Sequence, residues 1–362
     1  MARITKRNLL IRNRRGVALL ITLSIITVLV AVTLELNRRV RESVVASRTA
    51  RDRLTLRAMT TSGIHAGMAL LIRDKETTTL DSIQEDWADP EKTAELLMDL
   101  PFEEGTLNIS IQDELGKIQV NALVRFPDGR QFNEVQREMW EHFLNLAIPS
   151  DARTDDTTPA AIINSVKDWL DDNDDDATTG LSGAESDYYE YLDPPYACRN
   201  GPIDHLGELV LIKGITEDLF EGAGGLPGIE NYMTVCGMAP YPEDKFTFKG
   251  AININTADMP VIAAMLPPEH EQLAQSIFEY RQEKSDDHYI HELTNQGWYR
   301  SAPGCSEVEI KAALLTNASD IFSIEARATL NETRMTAVAV VQREKDEKTG
   351  RFVCKALSWH EK

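Results

Sequence analysis

The residues best suited to chemistry lie between Asp168 and Tyr189. The run Asp168-Trp169-Leu170-Asp171-Asp172-Asn173-Asp174-Asp175-Asp176 is followed by Gly183-Ala184-Glu185-Ser186-Asp187-Tyr188-Tyr189. So many carboxylates within a few residues repel one another unless a cation bridges them. Oxygen donors at alternate positions (Asp171, Asn173, Asp175), with further carboxylates downstream, suit Ca²⁺, a hard cation that takes about six to eight oxygens. The spacing is not that of an EF-hand, because the Gly after the third ligand and the terminal Glu are both missing. A solvated acidic loop is the competing reading. Tyr188, Tyr189, Pro194, Pro195 and Tyr196 favour a loop packed on something, and hence an ordered site.

Other constellations are weaker. His288 and His291, with Glu292, would present two nitrogens one helical turn apart, but isolated histidines are far commoner than zinc ligands. Gly222–Gly228 follows a helical stretch and lacks the dinucleotide spacing, so it reads as a loop. No Gly-x-Ser-x-Gly, Walker or zinc-protease pattern occurs. No catalytic residue is assigned, and an enzyme is not expected. Four cysteines, Cys198, Cys236, Cys305 and Cys354, allow three pairings, and the sequence does not select one. Cys198 with Cys236 and Cys305 with Cys354 is the working expectation.

Two segments, Leu206–Thr216 and Ile252–Pro260, look like helix-hairpin-helix units. In the second, Thr256 or Asp258 would cap a helix beginning near Met259-Pro260. Such hairpins bind nucleic-acid phosphates when their flanks are basic, and these flanks are acidic or neutral. The whole chain has 38 basic and 58 acidic residues and a net charge of −20. Nucleic acid is therefore excluded as a partner, and a protein contact or a structural role is expected for both hairpins.

The positive charge that exists is concentrated at the start. Arg3, Lys6, Arg7, Arg12, Arg14 and Arg15 precede Gly16, and no acidic residue accompanies them. Removing residues 1–16 would take away six positive charges and leave −26. The apolar run from Val17 to Leu36 is long enough for one bilayer-spanning helix, and longer than the apolar part of a secretory signal. The basic leader places the N-terminus in the cytoplasm and the rest across the membrane, in an oxidising compartment. Gly16 has no Cβ to obstruct a membrane-embedded peptidase. The junction Arg15-Gly16-Val17 therefore reads as a type IV prepilin cleavage site, with Gly16 and Val17 flanking the cut and an uncut signal anchor as the alternative.

The elements behind these motifs follow from periodicity. Val40, Val44, Val45, Leu54, Leu56, Met59, Ile64, Met68 and Leu71 fall near helical spacing, extending the spanning helix to about Arg73. A short helix near Glu91–Leu100 precedes alternating strands at Leu107–Ile111 and Ile118–Ala122. The turn-like Asp113–Lys117 between them predicts a β-hairpin. Strands return only at Ile321–Ala328, Met335–Arg343 and Arg351–Trp359. Helices are expected between the two sets, at Phe132–Leu146, Pro159–Leu170, His205–Leu211, Thr216–Glu221, Met259–Leu266 and Glu269–Lys284. One sheet interrupted by an inserted helical domain is the economical arrangement.

Taken together, these motifs in this order resemble the GspK-type minor pseudopilins of type II secretion systems. The resemblance rests on Arg15–Leu20, Ile21, Asp113–Asn121, Asp168–Asp171, Gly183–Glu185 with Asp187–Tyr189, Pro194–Tyr196, Glu208-Leu209 with Lys213–Thr216, and Asn253–Ala257. It implies an α+β pseudopilin fold: a long N-terminal transmembrane and amphipathic helix on an antiparallel sheet, with a large α-domain inserted. The implied divisions are a leader (1–16), the helix (17–75, spanning at 17–36), a pilin-like part (76–126), the insert (127–317) and the closing strands (318–362). It implies calcium in the insert, with Asp171, Asn173, Asp175, Glu185 and Asp187 at the matching positions. It also implies cleavage and methylation by prepilin peptidase, partners of the GspI and GspJ types, the inner-membrane secretion platform, and a place at the pseudopilus tip. Most pseudopilins carry Glu as the fifth mature residue. Here that residue is Ile21, which cannot pair with a subunit ahead of it. A minor pilin of a type IV pilus or DNA-uptake system is the alternative.

Overall fold

The computed structural model describes residues 15–98, 100, 102, 104–172 and 178–361. Helix α1, Arg15–Thr77, is continuous over 63 residues, about 95 Å at 1.5 Å per residue. Its first third is exposed and is long and apolar enough to cross a membrane. The hydroxyls of Thr22, Ser24, Thr27 and Thr33 donate to the carbonyls of Leu19, Leu20, Leu23 and Leu29, so the polar residues of the span are satisfied within the helix.

The last third of α1 packs on a four-stranded antiparallel sheet. Its strands are β1 (Thr106–Asp113), β2 (Ile321–Leu330), β3 (Thr333–Lys345) and β4 (Phe352–Glu361), in the order β1-β2-β3-β4. A second helix, α2 (Pro90–Met98), lies beside β1. Ile64, Leu70 and Leu71 meet Ile109, Ile111, Phe322, Ile324 and Val341 in one buried cluster that includes Trp87. Helix and sheet approach closely because Gly63 and Gly67 share one face of α1. A Cβ on Gly63 would lie 3.0 Å from Ile109 Cγ2, and one on Gly67 would lie 3.0 Å from Ile324 Cγ2.

β1 and β2 are neighbours in register, Asp113 opposite Phe322, yet residues 114–320 lie between them in the chain. That insert has its own core, built around Trp140, Phe143, Ile162, Val166, Trp169, Tyr189, Ile254 and Val261. Its helices are α3 (Glu134–Ala147), α4 (Pro159–Leu170), α5 (Ser186–Glu190), α6 (Glu217–Glu221), α7 (Met259–Met265) and α8 (Ala274–Gln282). Leu56 and Met59 meet Ala328 and Leu330, whereas the Leu71 carbonyl meets Arg343 beside Asp320. Progress along α1 thus runs down β2 towards the insert. The insert leaves the sheet at the end of α1 farthest from the apolar span.

The expected hairpin at Leu107–Ala122 does not form. β1 pairs with β2, while Ile118-Gln119 pairs in parallel with Met233-Thr234 inside the insert. Alternation is misleading there because Gln119 and Asn121 are as buried as Ile118, Val120 and Ala122. Gln119 donates to the Cys236 carbonyl (2.5 Å), and Asn121 exchanges bonds with both backbone groups of Ile203. The insert therefore takes up the chain soon after β1, before residue 127. Parallel pairing of Ile252-Asn253 with Leu315-Thr316 and a hairpin at Met238–Phe248 had no clear signal in the sequence.

Gly67→Leu is expected to lower stability by about 1–3 kcal/mol by forcing α1 off β2. Urea unfolding followed through Trp87, which lies in that cluster, measures this. An unchanged midpoint would contradict the close-packing account.

Candidate functional site

The acidic constellation is built from two helix ends. Thr158 caps α4 by accepting from the Ala161 amide (3.3 Å), Pro159 opens the helix, and the helix closes at Asp171, whose amide donates to the Lys167 carbonyl. Asp168 and Asp171 therefore project from its last turn, and both are buried. Glu185, also buried, sits immediately before α5. Asp168, Asp171 and Glu185 each offer a carboxylate oxygen within 4.8 Å of the others. The Thr179 amide donates to Asp168 (3.0 Å), and a Cβ on Gly183 would fall 2.0 Å from Asp168 Oδ2. Glycine at 183 is thus a requirement of the site.

The surrounding aromatic packing holds the loop. Trp169 and Tyr189 meet edge to face at 5.0 Å, and Tyr189 lies 5.4 Å from Tyr196. The Tyr196 hydroxyl donates to the Leu211 carbonyl, and Lys213 Nζ reaches the Ser182 carbonyl and Asp156. One cation, Lys167, bridges to Asp171 (2.5 Å) and lies 4.0 Å from Asp168. Burial pushes the Asp168 carboxyl above its ordinary value, partly offset by its bonds from Thr179. Among the described residues, the three buried carboxylates and the Lys167 ammonium form a hard, oxygen-rich, anionic set, which suits a divalent cation.

Of the residues anticipated from the sequence, Asp171 and Glu185 are brought together. Asp168 joins them, although only its neighbours were assigned as ligands. Asp187 is exposed, accepts from the Tyr188 amide and stands outside the cluster. Asp172 is exposed and pairs with Arg130. Asn173 and Asp175 lie outside the described residues, as do positions 1–14 of the leader. Ile21 is exposed on the apolar third of α1. His291 stacks on Tyr280 and bonds Glu283, while His288 contacts the Asp286 carbonyl, so the pair forms no metal site.

The structure corrects the expected disulfides: neither Cys198 with Cys236 nor Cys305 with Cys354 forms. Cys198 donates to the Asp168 carbonyl inside the insert, and Cys305 donates to the Pro303 carbonyl elsewhere in the insert. Cys354 lies on β4 against α1, donating to Met68, so it belongs to a different core from Cys305. Burial pushes the Cys236 and Cys354 thiols up to about 11.

A second acidic group went unnoticed in the sequence. Asp74, Asp81 and Glu85 converge where α1 ends, but cations and amides already fill their coordination. Arg343 of β3, itself buried, donates to the Leu71 carbonyl, Asp74 (3.2 Å), Asp81 and the Ser319 carbonyl. Lys75 reaches Asp81, and Glu85 accepts from Thr78, the Ser82 amide and the Trp87 indole. Asn253 spans from this group to the next, donating to the Asp81 carbonyl and to Asp113, which also accepts from Thr256. Asn255 accepts from the Trp298 indole (2.7 Å). The second hairpin-like segment is therefore scaffolding: Asn253, Asn255 and Thr256 are turned inward, and the polar side chain it leaves exposed, Asp258, is an acid that would repel a nucleic acid.

A family model described as type II secretion system protein K matches residues 116–223. Type II secretion system protein K of Pseudomonas aeruginosa is 26% identical over 349 residues, 93% of this chain and 91% of its own length. The Aeromonas hydrophila protein K is 24% identical over 70% of each chain. A chain of the crystal structure of the GspK-GspI-GspJ complex from enterotoxigenic Escherichia coli aligns with a TM-score of 0.58. It is 15% identical and covers 87% of this chain and 99% of its own. In sequence and in fold the chain matches the type II secretion protein K family. It is a minor pseudopilin, and the family is a structural part of the secretion machinery. A type IV pilus or DNA-uptake assignment is not favoured. The family match begins at residue 116, where the structure also passes from β1 into the insert.

Two outcomes follow from the Arg343 centre. Arg343→Met leaves Asp81 buried without its guanidinium and is expected to cost about 3–5 kcal/mol in urea unfolding; wild-type stability would contradict this. Burial, ahead of repulsion from Glu85 and Asp81, pushes the Asp74 carboxyl from 3.8 to about 7. The folded state then holds this proton more tightly than the unfolded chain does. The resulting stabilisation is complete below about pH 4 and is lost as pH rises through 7. Asp74→Asn should flatten the fall in melting temperature between those pH values, and an unaltered slope would contradict the assignment.

Proposed function

We propose that this pseudopilin occupies the tip of the type II secretion pseudopilus, starting and capping its assembly without catalysing a reaction. The observation that carries the reading is where the insert sits. Residues 114–320 emerge from the sheet at the end of α1 opposite the apolar span. In a filament whose subunits stack along their N-terminal helices, that bulk stands where the next subunit ahead would lie. Ile21 acts in the same direction, since an apolar side chain offers no carboxylate to the N-terminal ammonium of a subunit ahead. A carboxylate at that depth would be tolerated only if paired.

The solved complex that shares this fold contains GspI and GspJ, and partners of those types are proposed here. The exposed outer part of α1 provides the surface they would share. Prepilin peptidase would cut between Gly16 and Val17 and methylate the new N-terminus, and the inner-membrane platform would receive the anchored subunit. Gly16 fits this role because a Cβ there meets nothing within 4 Å; the fold itself does not require glycine. The six basic residues before it would keep the leader cytoplasmic and place the head in the periplasm.

Calcium is proposed as the resident ion of the insert. Asp168, Asp171 and Glu185 would hold it, clamping the end of α4 to the start of α5. The ion would supply charge compensation and rigidity. Asp187 is exposed and would have to turn inward to contribute.

An electron-dense label on the insert should appear once per pseudopilus, at its end. Labels spaced along the filament would refute the tip assignment. Calcium added to chelator-treated protein should raise the unfolding temperature, by about 2.7 kcal/mol of stabilisation at a hundred times Kd. Gly183→Ala should abolish that rise. A wild-type melt indifferent to both chelator and calcium would refute the ion.

A further inference from the structure

Between the apolar span and the head, α1 carries a concentration of positive charge that carboxylates in the described structure only partly pair. Arg38, Arg39, Arg41, Arg48, Arg51, Arg53 and Arg57 stand there in a chain of net charge −20. Arg38 and Arg39 pair with Glu35 and Glu42, Arg57 pairs with Glu361, and Arg51 lies 3.9 Å from Asp52. Arg41, Arg48 and Arg53 have no carboxylate within 4.0 Å among the described residues. Cations just beyond a span on its translocated side oppose the charge bias that orients the helix, so they call for a reason of their own.

Spacing supplies it. Val40, Val44, Ser47, Arg51 and Leu54 recur at alternating steps of four and three, which is the seam of a helix that packs on another helix. Val40, Val44 and Leu54 are exposed. Ser43, Val44, Ser47, Arg48 and Arg51 line a shallow hollow on that seam. Val44, Ser47, Arg48 and Arg51 are the i, i+3, i+4, i+7 set that receives one side chain of a facing helix. Arg41 and Arg48 flank the seam on one side, where a facing helix would place its own charges.

We infer that residues 40–54 of α1 form a docking seam for the N-terminal helix of a neighbouring pseudopilin that presents carboxylates opposite Arg41, Arg48 and Arg51. Distance argues against lipid as the occupant. Arg48 and Arg51 stand about 18–22 Å beyond Leu36 along the helix. The headgroup layer is only about 5–8 Å deep, and screening acts over about 8 Å. Arg38, Arg39 and Arg41 can meet headgroups, but Arg48 and Arg51 cannot. The seam also continues directly from the span, so a helix that lies alongside it in the bilayer would follow it outward. The inference rests on the proposed assembly with pseudopilin partners and adds the chemistry that selects among them.

The test uses the full chain co-expressed in membranes with its partner minor pseudopilins, then solubilised and recovered through a tag on the chain. Wild type should retain a partner at low salt and release it progressively towards 0.5 M NaCl, as expected where screening by about 3–4 Å reaches the pair. Arg48→Glu with Arg51→Glu should reduce partner recovery at low salt at least about tenfold, since like charges face each other across the seam. Arg48→Lys with Arg51→Lys should retain most of it. Arg53→Glu, on another face of the helix, should leave it unchanged. All three positions are exposed, so folding of the head is not at stake. Recovery of the partner by the double glutamate variant at the wild-type level would overturn the seam. So would a Ser47→Cys crosslink that joins two copies of this chain rather than chain and partner, or binding that follows anionic lipid content alone. If wild type itself recovers no partner, the assembly reading fails first and the seam with it.

Discussion

A single buried guanidinium holds the architecture together. Arg343 projects from the distal end of β3 into a site where α1 ends, the chain turns back through Asp81, and the strand returning from the insert begins. Its donors reach the Leu71 carbonyl, Asp74, Asp81 and the Ser319 carbonyl, so one side chain contacts all three segments. A buried pair of this kind adds little net stability over well-packed apolar residues, yet losing one partner is costly. Its value lies in specificity: these four bonds form together in only one relative placement of helix, loop and strand. Asn253 and Asp113 extend the same bonding into the insert.

From that constraint the position of the insert follows. Adjacent strands can tolerate a long excursion between them because the entropy of closing a loop grows only slowly with its length. The two ends must still meet, and Asp113 and Phe322 are direct partners across the ladder. The junction is therefore a fixed exit at the far end of α1, and the insert is held there by hydrogen bonds from residues of its own sequence. A tip role needs bulk at that end and a helix that continues into the membrane at the other. The fold provides the bulk at one end and, at the other, a helix long and apolar enough to cross a membrane.

Much of this was legible in the sequence because the signals were local. The long helix, the three closing strands and most helices of the insert follow from periodicity. Asp171 and Glu185 stood out because acids cluster around them. What escaped depended on partners far away in the chain. Gln119 and Asn121 look like the polar side of an alternating strand, but their partners are Cys236 and Ile203, so the strand joins the insert core and the hairpin is lost. Arg343, Asp81 and Asp74 look like ordinary surface charges until the fold brings them together. Asp168 was read as part of the motif and not as a ligand, because nothing in the sequence shows that the last turn of α4 points it towards Glu185. The cysteines gave no pairing signal, and each thiol proves to be accommodated by its own surroundings.

The claim on which the account depends is that this chain enters filaments by the prepilin route. Intact mass and N-terminal sequencing of the protein, extracted from membranes that contain the peptidase, tests it most directly. The account predicts a chain that begins at Val17 and carries one added methyl group. A chain that still begins at Met1 would be an uncut signal anchor, and the assembly role built on α1 would be contradicted.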